Sequence, residues 1–155
     1  MKKILLIISF LRSSPKTIEE ALQIAKSENA ELLVFFVLDV SYADRITTKL
    51  ANEGWIGGKP SEQLYIALLR EYKLQAEANI TEIEERAKEL DIPVRSMIKS
   101  GAVLDTTLAV AKKEKPDLIV ITRRKRSSLS RLIFGSLASS LQSQVAVKVK
   151  IIDAA

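Results

Sequence analysis

The 155-residue chain contains no cysteine and no histidine. The first absence excludes disulfides, thiol nucleophiles and cysteine-ligated metals. The second removes the commonest general base and the commonest zinc ligand, and with them any Ser-His-Asp triad. No apolar run is long enough to span a bilayer, so no membrane partner is expected. The N-terminus, MKKILLIISF, has the basic start and apolar run of a secretory leader. No small-residue cleavage site follows it, and the run reads better as a first strand. A cytoplasmic protein is the expectation. Internal repeats and low-complexity segments are also missing.

What is present fits one globular domain, residues 1–155, with 47% apolar and 28% charged residues. The formal net charge is +5, and much of it sits in one loop. Continuous apolar runs, Lys3 to Ser9 and Leu32 to Leu38, suit strands buried on both faces of a parallel sheet. Between them Ser14 is an N-cap candidate, Pro15 a first helical residue and Asn29 a helix stop, with Ile18, Ala21, Leu22 and Ala25 on one face.

From Val40 to Pro60 the pattern breaks down around three glycines and Trp55. A loop of this length is functional, mobile or packed on the body. Ser61 then caps a long predicted helix reaching about Leu90. Val94 to Lys99 alternates as an edge strand does. Gly101 precedes a helix carrying Leu104, Leu108 and Ala111 on one face, Leu118 to Thr122 is a fourth strand, and a helix with Ile133, Leu137 and Leu141 follows. The last strand is predicted over Val145 to Ile152, where Lys148 and Lys150 alternate with apolar residues as on an exposed or interface strand. Strands separated by helices imply parallel pairing through right-handed crossovers.

The stretch DLIVITRRKRSSLSRLIFGS, Asp117 to Ser136, draws most attention. It reads as a buried strand, a basic loop and a helix start, with Gly135 and Ser136 near that start. Ligands of open parallel sheets sit off the carboxyl ends of the strands, and free N–H groups at a helix start attract anions. The alternative is a solvated basic loop that only joins two elements.

Taken together, KILLIIS, ELLVFFVLDV, SGAVLDTTLAVAKKEKPDLIVI and SSLSRLIFGS resemble the universal stress protein family over nearly the whole chain. The resemblance implies an α/β fold of the adenine nucleotide alpha hydrolase-like type: one open five-stranded parallel sheet, order 3-2-1-4-5, with helices on both faces. It also implies a homodimer through the last strand and, in many members, ATP with Mg²⁺ as ligand. The family motif G-x2-G-x9-G-(S/T) falls on Thr122, Lys125, Gly135 and Ser136, so its last two positions match and its first two glycines are missing. The family aspartate at the end of strand one is Ser9 here. Val37 and Ile121 match the apolar positions that flank adenine, and Gly101 matches a glycine near the ribose and phosphates.

The departures have consequences. Thr122 is β-branched and should resist a glycine-like backbone. Lys125 adds a long side chain. Ser9 removes a charged acceptor, a loss of roughly 1.5–3 kcal/mol, or about one to two decades of affinity. Against this, Arg124, Lys125 and Arg126 could grip phosphate by charge.

The residues therefore point first to a regulatory, stress-response protein with weak or lost ATP binding, acting through protein partners rather than turnover, with ATP and Mg²⁺ as the candidate cofactor and none certain. A second reading is an ATP-binding member with at most slow hydrolysis. No catalytic base is visible, since Asp39 and Asp105 read as a strand-end and a helix-start acid, and no metal set stands out. A third is anion or nucleic-acid binding through residues 123–131. That loop lacks the interleaved aromatics of a stacking platform, which disfavours nucleic acid.

Overall fold

The computed structural model describes residues 2–10, 12–39, 60–123 and 137–153. The segment around Trp55 and the basic stretch from Arg124 to Ser136 lie outside the described residues.

The elements run β1 (Lys3–Ile8), α1 (Pro15–Glu28), β2 (Glu31–Asp39), α2 (Pro60–Glu89), β3 (Val94–Gly101), α3 (Val103–Glu114), β4 (Leu118–Arg123), α4 (Leu137–Gln144) and β5 (Lys148–Asp153). The five strands form one sheet in the order β3-β2-β1-β4-β5, and every pairing is parallel. Fold class and strand order are those the resemblance implied.

The all-apolar strands explain the layering. Ile4, Leu6 and Ile8 of β1 point to one face, where they meet Ala21, Leu22 and Ala25 of α1 and Ala76, Ile80, Ile83 and Ala87 of α2. Leu5 and Ile7 point to the other, against Val103, Val110 and Ala111 of α3 and Leu141 of α4. Each such buried aliphatic side chain contributes about 1.5–3 kcal/mol, so the central strand sets the position of both helical layers.

Helix α1 begins and ends at the predicted residues. Ser14 is its extended N-cap and Pro15 its first residue, while Asn29 closes it in the left-handed conformation at φ 54°. Edge strand β3 keeps Val94, Ser96 and Ile98 half-buried and exposes Arg95 and Lys99. Met97 departs from that alternation by packing on the α3 side.

The last strand is shorter than predicted. Val145 donates its N–H to the Leu141 carbonyl at 3.1 Å, so it still closes the end of α4. Pairing with β4 starts only where Lys148 faces Leu118. Lys150 is not a free surface cation either, because it binds Glu20 of α1 at 2.6 Å.

At the amino edge of the sheet, Arg95 reaches Glu114 at 2.6 Å and Glu31 at 3.2 Å, and Lys3 approaches Glu114 at 3.5 Å. These contacts tie the end of α3 to three strands. Among the described residues, no helix is long and apolar enough to cross a membrane.

Candidate functional site

The carboxyl ends of β1 and β4 meet the start of α1. Three hydroxyls join there. Thr122 donates to Thr17 at 2.8 Å. The Thr17 hydroxyl shares a 2.8 Å hydrogen bond with Ser14, whose Oγ also accepts the Thr17 N–H at 3.1 Å. With Thr122 as donor to Thr17, the Thr17 proton is directed to Ser14. All three side chains are buried.

Strand alternation explains the direction of Thr122. Val120 of the same strand belongs to the α1–α2 core, and Thr122, two residues on, reaches α1 as well. Ile121 faces the other way, into one cluster with Val37, Leu5 and Ile7. Of the residues matched to the nucleotide pocket, Val37 and Ile121 therefore share a sheet face. Thr122 is turned to the opposite one.

The backbone of Thr122 lies within β4. The non-glycine residues with positive φ among the described residues are Asn29, Asp91 and Lys115. The chain runs as ordinary strand at Thr122, and the side chain has its own buried acceptor.

Ser9 stands immediately after β1. Its N–H donates to the Arg12 carbonyl and its carbonyl accepts from the Arg12 N–H, both at 3.2 Å. The residue is only 2% exposed, yet its Oγ has no hydrogen-bond partner among the described residues. A buried hydroxyl left unpaired costs about 1–3 kcal/mol.

Gly101 ends β3 opposite Asp39. Its φ is +150°, and a Cβ there would lie 2.6 Å from Cγ2 of Thr106. Thr106 is held in place by donating to the Ala102 carbonyl at 2.7 Å. Glycine is required at this turn by both backbone and space.

The first cation of the basic stretch is engaged. Arg123 donates from Nε and Nη2 to the two carboxylate oxygens of Asp153, at 2.6 and 3.0 Å. That hydrogen bonding, followed by the charge of Asp153, holds the Arg123 pKa above its ordinary value. Arg124, Lys125, Gly135 and Ser136 lie outside the described residues, as do the remaining cations of residues 123–131. Among the described residues no group of three acidic side chains is gathered to hold a metal ion.

Sequence reasoning missed two features. One is the hydroxyl chain, although the Ser14-Pro-Lys-Thr17 spacing was a signal for the cap half of it. The other is an aromatic group beside Ser9. Phe10 lies edge-on to Phe36, with centroids 5.0 Å apart, and 4.8 Å from Tyr72. These three rings come from separate elements, so no local pattern announces them.

The sequence model of the universal stress protein family matches residues 1–152. The chain belongs to the universal stress protein family. Universal stress protein MJ0531 of Methanocaldococcus jannaschii is 24% identical over 120 residues, which are 77% of this chain and 63% of that relative. The matched part thus spans less than two thirds of that relative's length. Among solved structures, universal stress protein UspA from Lactobacillus plantarum superposes with a TM-score of 0.73 at 19% identity, covering 97% of each chain. A universal stress protein family protein from Arabidopsis thaliana with AMP bound gives 0.64 at 15% identity, over all of this chain and 93% of that one. At these identities the two structures carry the fold.

Proposed function

We propose that this universal stress protein is a regulatory, dimeric member whose nucleotide pocket binds ATP weakly or not at all, and which acts by docking protein partners rather than by turnover. The observation that carries the reading is Ser9. Where the family places a carboxylate, a neutral hydroxyl stands buried and without a hydrogen-bond partner among the described residues. Loss of a charged hydrogen-bond acceptor removes about one to two decades of affinity. The Thr122 side chain is turned to Thr17 of α1, so the reading is argued from lost recognition rather than from a filled pocket.

A second reading is retained adenine-nucleotide binding. The Arabidopsis neighbour carries AMP, the glycine-only turn at Gly101 is kept, and Val37 and Ile121 share the face that would hold a base. Calorimetric titration of Mg·ATP and of AMP into the nucleotide-stripped protein separates the two. No heat at millimolar ATP is expected. Micromolar binding of ATP would overturn the first reading, and micromolar binding of AMP alone would favour a pocket that reads the nucleoside and not the phosphates.

Dimer formation is proposed through the outer edge of β5, which is an edge strand of the sheet. Light scattering across a hundredfold range of concentration tests it, and a monomer throughout would sink it.

A further inference from the structure

The amino edge of the sheet holds a concavity, at the opposite end from Ser9 and Thr122. It is a groove of about 500 Å³ between the last turns of α3 and the chain that leaves α4. Leu108, Ala111, Lys112 and Lys115 line one wall. Leu108, Ala111 and Lys112 lie on one helical stripe, and Lys115 follows as the left-handed C-cap of α3. Val145 and Val147, half-buried, line the other wall. The volume is within the range of small-molecule sites.

The charge at its rim is only partly compensated. Lys112 and Lys115 are exposed, and neither makes an ion pair among the described residues. Lys113 and Lys148 flank them in the same state. The C-termini of α3 and α4 each contribute about half a negative charge, which is outweighed by these cations. Of the acids close to them in sequence, Glu114 is paired with Arg95 and Lys3, and Asp117, which accepts the Lys3 N–H, offsets one of the four lysines.

We propose that this groove binds an anionic amphiphile, a single medium-length acyl chain whose carboxylate lies at Lys112 and Lys115. The apolar walls take the chain and the lysines take the head. A nucleotide fits poorly, because Gln144 is the one uncharged polar side chain of the lining able to read a base.

Decanoate, kept below its micelle concentration, is the probe, with decan-1-ol and decyltrimethylammonium as controls, read by calorimetry on the full chain. Decanoate is expected to bind saturably and one-to-one, more tightly at low salt, with decyltrimethylammonium the weakest of the three. Lys112→Gln with Lys115→Gln should weaken decanoate about tenfold and leave decan-1-ol unchanged. Ala146→Trp, at an exposed position of the lining, should weaken both. Non-saturable heats, or equal decanoate affinity in the double-glutamine variant, would overturn the proposal. So would conversion of a dimer to a monomer by Ala146→Trp in light scattering, since a second copy of the chain would then be the occupant. Mg·ATP titrated in parallel should not displace decanoate, which keeps this result separate from that at the Ser9 end.

Discussion

The Thr122 hydroxyl donates to the Thr17 hydroxyl at 2.8 Å although the residues are 105 positions apart. Thr122 is thus a clamp between the end of β4 and the first turn of α1. Its strength is that of a buried hydroxyl pair: modest when made, costly when half removed.

Thr122→Val keeps the shape and deletes the donor. It is expected to lower unfolding free energy by about 1–3 kcal/mol, measured by urea denaturation. Thr122→Gly should cost at least as much, since it also removes a buried methyl and loosens a strand. It should not create ATP binding, because the Thr122 side chain faces α1. A gain of micromolar ATP affinity in Thr122→Gly would show that the side chain had been the obstacle.

Ser9 gives the opposite pattern. Its Oγ has no hydrogen-bond partner among the described residues, so Ser9→Ala should leave stability unchanged or raise it slightly. Ser9→Asp restores the family acceptor and should tighten ATP binding by about one to two decades, read by calorimetry. An unchanged affinity in that variant would mean that the phosphate end, and not the missing carboxylate, limits binding.

Gly101→Ala forces a Cβ against Thr106 at 2.6 Å and leaves a side chain at φ +150°. A loss of about 1–3 kcal/mol is expected from the backbone strain. Adding Thr106→Ser removes the opposing methyl but not the strain. Denaturation of the double variant should therefore recover only part of the loss.

The strand order came from the family resemblance, whereas the burial of β1 and β2 on both faces was legible because they carry long apolar runs. The ends of α1 were legible because caps are local. The start of β5 was not, because Val145 has the same side chain whether it ends a helix or opens a strand, and the Leu141 carbonyl decides it. For the candidate site, the resemblance put Thr122 at a motif position, but only the register of β4 tells which face the side chain takes. Likewise Lys150 reads as surface until Glu20 is brought beside it.

Glu114 should govern part of the acid limb of stability. The hydrogen bond from Arg95 lowers its pKa first, burial opposes, and the charges of Arg95 and Lys3 add to the lowering. A carboxyl whose folded pKa lies below its unfolded one stabilises the fold above the ordinary carboxylate range, and that contribution is lost as pH falls through the folded value. Glu20 is lowered in the same sense by Lys150. Thermal unfolding from pH 7 down to pH 3 should therefore be less steep for Glu114→Gln than for the wild type. An identical slope would leave the lowering without a thermodynamic consequence.

The pairing of Arg123 with Asp153 bears on the third reading, anion binding along residues 123–131. Both groups are about half exposed or more, so the pair contributes little to stability, but it points the guanidinium at β5. A cation so placed adds nothing to a phosphate contact unless it leaves its carboxylate. Arg123→Gln should then leave binding to a single-stranded oligonucleotide as weak as before. Asp153→Asn, which frees the guanidinium, should strengthen that binding and steepen its logarithmic salt dependence by about 0.7–0.9 for one added phosphate contact. Fluorescence anisotropy at several salt concentrations measures both. If Arg123→Gln instead weakens binding several-fold, the arginine exchanges Asp153 for phosphate when the ligand arrives, and the ion pair is a resting state of an anion site rather than a strut between two strands.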